Sequence, residues 1–323
     1  MKKVVITGGS GFVGANLARK LLKSGHEVHL LVRKNYHPWR LQGIAQDLHI
    51  HKADLGDIGG LKKSIAGIKP QWIFHLGVYG AYSYQDDPGK IMQTNVLGTA
   101  NLMEAALKTG FQAFINTGSS SEYGFKNEPF CETDRLQPNS YYAASKAAAT
   151  LFCSYSAVAK NAGITTLRLF SVYGPYEEPA RLVPTLLVYG LKGKFPDLVN
   201  PATARDYVYV DDVTEAYILA AEKIKTGAGE IYNLGTGVQT SIREIVALAR
   251  KILKIKARPE WGTLPARIWD SNFWVADNRK IKRELAWRPR TGLEQGFKQT
   301  LKWLQDNPRI LDFYQKQLQK RRR

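Results

Sequence analysis

The chain has 323 residues, 44% hydrophobic and 23% charged, which is enough apolar material for one large core or two ordinary ones and excludes collagen-like, wholly disordered and disulfide-scaffold proteins. Two cysteines, Cys131 and Cys153, cannot staple such a length, so a reducing, cytoplasmic setting is expected. Lys and Arg number 46 against 28 Asp and Glu, a formal charge of +18; the excess is dispersed except in the tail 316–323, which favours an anionic small-molecule site on a solvated surface over nucleic-acid binding and leaves a polyanion-binding tail as the alternative.

Residues 3–7 are β-branched and lead into a glycine-rich turn, then an amphipathic run to Ser24 and a second apolar strand at 27–32. This is one βαβ unit. Val13, Leu17 and Leu21 recur at helical spacing, and Gly25 stands where a helix-ending glycine belongs. Glycines 8, 9, 11 and 14 interrupt the N-terminal run before it could act as a signal peptide. Buried strands are predicted at 72–76, 113–117 and 165–170, separated by helices near 91–109 and 142–162. The uncharged stretch 147–159 is shorter than the roughly 18 apolar residues of a membrane span, so no membrane partner is expected. The alternation predicts an α/β fold with a mostly parallel, doubly wound, Rossmann-type sheet over 1–175. After Gly174-Pro175, prolines punctuate shorter elements, including a strand at 231–234 and a helix at 241–253. A smaller, discontinuous substrate-binding domain is expected over 176–323, with segments near 205–235 returning to the first domain.

Gly9-x-Gly11-x-x-Gly14 follows a strand and opens a helix, the context in which glycines let a pyrophosphate approach the backbone and helical N–H groups face its charge. A carboxylate at the end of the second strand would bind the adenosine ribose. Arg33 and Lys34 stand there instead, which favours NADP(H), with NAD as the alternative. Tyr142 and Lys146 are spaced i, i+4, so in a helix an ammonium lies beside a phenol that can exchange protons with a hydroxyl or carbonyl. Ser119 follows the 113–117 strand at the carboxyl edge, where open α/β sheets bind ligands. The six histidines are dispersed along the chain, with neither His-Glu-x-x-His nor paired Cys-x-x-Cys, and no metal site is expected. No neighbour of Cys131 activates its thiol, which is expected to be inert.

Taken together, Gly8-Gly9-Ser10-Gly11-Phe12-Val13-Gly14, Ala53-Asp54-Leu55, Phe74-His75-Leu76-Gly77, Asn95-Val96-x-Gly98-Thr99, Gly118-Ser119-Ser120, Tyr142-x-x-Ser145-Lys146, Tyr173-Gly174-Pro175 and the run from Arg205 to Asp212 resemble an extended short-chain dehydrogenase/reductase of the nucleotide-sugar epimerase/dehydratase family over nearly the whole length. The resemblance implies a Ser119, Tyr142, Lys146 catalytic triad. It implies a cofactor held by Gly8, Gly11, Phe12, Val13 and Gly14, by Asp54 and Leu55 beside the adenine, by Gly77 and Val78, and by Tyr142 and Lys146. Arg205 and Arg267 would grip the diphosphate of a nucleotide sugar, a role suited to two guanidinium forks, with Tyr79, Ser120 and Ser171 as further substrate contacts. A homodimer through the 91–109 and 142–162 helices is also implied.

Dehydratases of this family carry Thr-Asp-Glu where this chain reads Ser119-Ser120-Ser121, which removes the acid and base for eliminating water and argues against a 4,6-dehydratase. The segment 118–124 is similar to that of the 4-keto-6-deoxyhexose reductases, and Glu122, aligned with a variable position, is given no catalytic role. Ser171 replaces an asparagine common in the family. The hydroxyls of Tyr79, Tyr82 and Tyr84 either orient a hexose or pack their own loop. The leading expectation is therefore NADP(H)-dependent reduction of a nucleotide-linked 4-ketohexose. The alternatives are an epimerase with tightly bound NAD and a non-catalytic cofactor-sensing or polyanion-binding protein.

Overall fold

Apolar strands that alternate with amphipathic helices can bury both their faces only in a sheet covered on both sides. The computed structural model describes residues 1–82, 84–265 and 270–320. In chain order, β1 (Lys3–Thr7), α1 (Phe12–Lys23) and β2 (Glu27–Val32) precede β3 (His49–Lys52), α2 (Ile58–Ile68) and β4 (Trp72–His75). Next come α3 (Pro88–Met92), α4 (Gly98–Thr109), β5 (Ala113–Ser119), α5 (Tyr141–Ala159), β6 (Ile164–Leu169) and β7 (Ser171–Tyr173). They are followed by α6 (Leu182–Gly190), β8 (Ala204–Tyr209), α7 (Val210–Glu222), β9 (Ile231–Leu234), β10 (Gln239–Ser241) and α8 (Ile242–Leu253). Last are α9 (Arg279–Glu284), α10 (Leu293–Asp306) and α11 (Pro308–Lys320).

Seven strands form one sheet in the order β3-β2-β1-β4-β5-β6-β9, every neighbouring pair parallel. This is the Rossmann-type α/β architecture expected from the sequence. The order reverses at β1, so the carboxyl ends of β1 and β4 part to leave the crevice in which such sheets bind ligands. One face is covered by α1 and α7, whose Leu17, Leu21, Val213 and Tyr217 join Val4, Ile6 and Leu30 in a continuous core. The other is covered by α2, α4 and α5 through Leu61, Ile65, Leu102, Met103 and Cys153. A second sheet, β10-β8-β7, packs with α6, α8, α10 and α11 around Val183, Leu186, Ile245, Phe297 and Tyr314.

Several expectations needed adjustment. The strand His49–Lys52 escaped the sequence reading because an edge strand with alternating His and no inward run of aliphatic residues carries no strong hydrophobic period. The helical stretch near 91–109 is divided by a π-helical turn at Gln93–Leu97. The histidines, dispersed in sequence, are not dispersed in space: parallel register sets His29 opposite His49 and Leu31 opposite His51, which brings three imidazoles to one face of β2 and β3. Among the described residues no helix is long and apolar enough to cross a membrane. Lys316 of the basic tail lies on α11 and pairs with Asp312 at 2.7 Å, while Arg321, Arg322 and Arg323 fall outside the described residues.

The turn after β7 is tied to the C-terminal helices, since Tyr314 donates its hydroxyl to the Glu177 carbonyl at 2.6 Å. The Glu177 side chain is buried there, with Oε2 lacking a hydrogen-bond partner and Arg181 Nε 3.8 Å from Oε1. Burial lifts its pKa from 4.5 to about 8, against the pull of Arg181 and Arg40. A carboxyl raised on folding keeps its proton longer in the folded than in the unfolded chain, so its stabilising contribution is full below 4.5 and is lost as pH rises through about 8. Thermal denaturation at pH 6 and pH 9 checks this: Glu177→Gln is expected to lose less stability across that interval than the wild type.

Candidate active site

The glycine loop between β1 and α1 is wedged against the neighbouring strand. Gly8 has φ +69°, and a Cβ there would lie 2.6 Å from the Leu76 carbonyl carbon and 2.7 Å from the Gly77 nitrogen. A Cβ on Gly14 would strike the Gly8 carbonyl. Only glycine can occupy the left-handed turn and allow this approach. No side chain caps the first turn of α1, which begins with half-buried Phe12 and Val13, so its N–H groups are left to face a ligand. The cradle therefore has the shape and the donors that suit a dinucleotide pyrophosphate.

Around this loop, Arg33 and Lys34 are exposed just beyond β2. Asp54 is exposed and accepts a hydrogen bond from Gly56 N–H at 2.8 Å, while the Leu55 side chain packs against Gly77 and Gly98. Val78 is exposed beside Gly77.

A buried polar chain joins the loop to the helices. Thr99 gives its hydroxyl proton to the Asn95 carbonyl at 2.6 Å, so His75 Nε2 must donate to Thr99 Oγ1 at 2.8 Å. His75 Nδ1 then accepts from Thr7 Oγ1 at 2.7 Å, and Thr7 accepts from Gly77 N–H at 3.0 Å. Burial and the nearby Lys146 ammonium push the His75 pKa down to about 3, which keeps this tautomer neutral. Asn95 in turn clamps Tyr79 through both backbone groups and donates to Ser145 Oγ at 2.8 Å.

Ser119 is the last residue of β5, and Tyr142 and Lys146 lie one turn apart on α5, whose N-cap Ser140 accepts from Ala143 N–H at 3.1 Å. The Ser119 hydroxyl lies near enough to the Tyr142 phenol to act on its ionisation. Burial raises the Tyr142 pKa, Ser119 opposes the rise, and the charges acting on the phenol are Glu122, which raises it further, and Arg181, which lowers it. Lys146 is almost fully buried, and burial lowers its pKa against the field of Glu122. Ser119 and Tyr142 thus meet at the carboxyl edge with Lys146 one helical turn further along, and Arg181 is a further cation acting on the Tyr142 phenol.

Glu122, given no catalytic role from the sequence, has a structural one that the sequence does not announce. It has no exposed surface, yet it accepts from Ser119 N–H at 2.7 Å, Thr150 Oγ1 at 3.1 Å and Arg168 Nε at 2.8 Å. Arg168 extends the network by donating to Tyr123, whose hydroxyl donates to Asn233 Oδ1 at 2.6 Å. The available signal was an acid three residues after a candidate helix N-cap, since Ser119 and Glu122 form a capping box. Arg181 was also passed over; it stands at the N-cap of α6, and no motif marks it.

On the substrate side, the Ser120 hydroxyl accepts from Trp274 Nε1 at 3.0 Å, and Ser171 pairs with Tyr207 in the second sheet. Arg205 donates to Asp270 at 3.0 Å and to the Ala204 carbonyl at 2.7 Å, and its guanidinium lies 5.5 Å above the Trp274 ring. Burial lowers its pKa and Arg181 lowers it further, so the two guanidinium groups act on one region. Arg267 lies outside the described residues. The Tyr82 and Tyr84 rings stack on each other at 5.5 Å, the self-packing reading of that loop, while Lys90 sits 4.8 Å above the Tyr79 ring.

Residues 4–235 match a family described as the NAD dependent epimerase/dehydratase family. The chain is 31% identical over 327 residues to UDP-glucuronate 4-epimerase 2 of Arabidopsis thaliana, covering 93% of this chain and 75% of that one. It is 30% identical over 322 residues to UDP-glucose 4-epimerase of Mycolicibacterium smegmatis, covering 94% and 99%. The crystal structure of Thermus thermophilus UDP-glucose 4-epimerase in complex with NAD superposes with a TM-score of 0.81 at 28% identity, covering 93% and 97%.

Removing Glu122 would strand a buried guanidinium. Glu122→Ala is expected to cost about 3–5 kcal/mol, and Glu122→Leu combined with Arg168→Met to recover most of that loss. Equilibrium urea unfolding of the three proteins checks both.

Proposed function

The chain belongs to the NAD dependent epimerase/dehydratase family, and we propose that it is a nucleotide-sugar 4-epimerase that works with NAD in the glycine cradle. One observation carries this reading: Ser119 ends β5 at the carboxyl edge of the sheet and acts on the Tyr142 phenol, with buried Lys146 one turn further along α5, while the positions that would hold a dehydratase's acid and base are Ser120 and Ser121. Ser120 is moreover engaged by Trp274. This site can move a proton to and from a sugar hydroxyl but has no second acid and base pair for eliminating water. The two relatives and the solved structure named above are 4-epimerases, which favours the same reaction.

NAD, when bound, would supply the acceptor and donor of hydride at the sugar's C4. Tyr142, when deprotonated, takes the proton of the 4-hydroxyl as that carbon is oxidised and returns it to the C4 oxygen once the carbon has been re-reduced on its opposite face, so the reaction has no net redox change. Ser119 holds the sugar oxygen through its own hydroxyl and opposes the rise that burial imposes on the Tyr142 pKa. Lys146, paired electrostatically with Glu122, places an ammonium where a ribose hydroxyl of the cofactor can accept from it. Arg205, released from Asp270, and Arg181 offer guanidinium forks to the diphosphate. The exposed apolar side chains Leu97, Leu151, Phe152, Tyr155 and Val158 on the helical face suit a second copy of the chain.

A second reading, reduction of a 4-keto sugar with NADPH, is favoured by Arg33 and Lys34 at the end of β2, where no carboxylate stands to repel a 2′-phosphate. Mass spectrometry of the dinucleotide released on denaturation separates the two: NAD at one per chain supports the epimerase, whereas NADP(H), or an empty site stabilised by NADPH but not NADH, supports the reductase. With UDP-glucose or UDP-glucuronate as substrate, Tyr142→Phe is expected to slow conversion to the C4 epimer by about 10²–10⁴-fold, as measured by chromatography of the nucleotide sugars. Unchanged turnover would overturn both readings.

A further inference from the structure

Glu27 and His29 lie two residues apart on β2, and His49 and His51 two residues apart on β3. Side chains repeat every two residues in a strand, and the parallel register sets His29 opposite His49. Three of the six histidines of the chain therefore share one sheet face with a carboxylate. His29 Nε2 is 2.9 Å from Glu27 Oε1, His29 Nδ1 is 2.9 Å from His51 Nε2, and the His29 and His49 rings stack at 4.6 Å. Donor atoms of Glu27, His29 and His49 all lie within 4.8 Å of one another. His29 is buried, Glu27 half-buried and His49 exposed, so the group opens to solvent on one side.

We propose that Glu27, His29 and His49 bind one divalent cation of the Zn²⁺ class, with water in the fourth position and His51 orienting His29 from behind. Imidazole and carboxylate are ligands such a cation takes, at bond lengths of about 2.0–2.2 Å. A tetrahedral shell of that size spaces its ligand atoms by about 3.3 Å, so the 2.9 Å contact must open by a few tenths of an ångström and the exposed His49 ring must turn out of its stack on His29 to aim a nitrogen at the same point. Without the cation, His29 Nε2–H donates to Glu27 and His51 Nε2–H donates to His29 Nδ1. On binding, His29 carries its proton on Nδ1 and donates to His51 Nε2, whose own proton moves to its Nδ1. Both rings stay neutral, no proton is lost, and the second imidazole fixes the ligand's tautomer, as metal-bound histidines require. Lys3 Nζ, 3.9 Å from Glu27 Oε1, is the native cation the metal must outcompete. The site lies toward the amino ends of β2 and β3, away from Ser119 and Tyr142, and its effect is to clip the four-residue edge strand to the sheet.

Zn²⁺ titrated calorimetrically into the full chain, cleared of metal by chelator, is expected to bind at one per chain and to increase hydrogen-exchange protection of the amides at 49–52. Co²⁺ is expected to show the intense visible absorption of a tetrahedral site. His49→Ala, at an exposed position, and His29→Asn abolish these responses, His51→Ala weakens binding about 10–100-fold, and His37→Ala changes nothing. No saturable uptake, uptake that survives both His49→Ala and His29→Asn, or uptake without protection of 49–52 overturns the proposal.

Discussion

A carboxylate with no exposed surface must find its partners inside the protein, and the way Glu122 does so organises the candidate site. Its three hydrogen bonds come from a strand end, a helix and a buried guanidinium. The bond from Ser119 N–H fixes the last residue of β5 in the bend from which its hydroxyl acts on the Tyr142 phenol. The negative charge also opposes the lowering of the Lys146 pKa that burial alone would bring. A buried ion pair is a weak source of net stability, but here it holds the position of a hydroxyl and the charge of an ammonium at once.

The Thr7, His75 and Thr99 chain does comparable work on the cofactor side. A neutral imidazole with its tautomer dictated by Thr99 joins the backbone of Gly77 to the helix that carries Asn95, and Asn95 reaches Ser145 between Tyr142 and Lys146. The glycine cradle and the helix that carries Tyr142 and Lys146 are consequently parts of one hydrogen-bonded frame. That frame lies at the point where the strand order reverses, and the open crevice there follows from topology.

Two of the site's cations come from outside the main sheet. Arg205 leaves β8 next to Trp274 and Asp270, and Arg181 begins α6 beside a carboxyl that burial keeps largely protonated near neutral pH. Because Glu177 is mostly uncharged there, Arg181 keeps more of its field free for the cleft, where it acts on Tyr142, Tyr82, Tyr207 and Arg205. Arg205 already has the Asp270 carboxylate at 3.0 Å, while Arg181 stands beside a carboxyl that burial leaves mostly uncharged, so the two cations differ in how far they are neutralised within the chain.

Much of this was legible in the sequence, wherever a feature depends on neighbours along the chain. The βαβ unit, the glycine turn and the Tyr142-x-x-x-Lys146 spacing are local, because backbone sterics and helical periodicity act over a few residues. Arg33 and Lys34 could be read as the absence of an acid at a strand end. What tertiary structure alone decided are the pairings across long separations: Glu122 with Arg168, Arg205 with Asp270, Asn95 with Ser145, and His29 with His49 and His51. Residues far apart in sequence have no shared period that announces contact; sheet register and the packing of helices on it determine which polar groups lose water together and must satisfy one another.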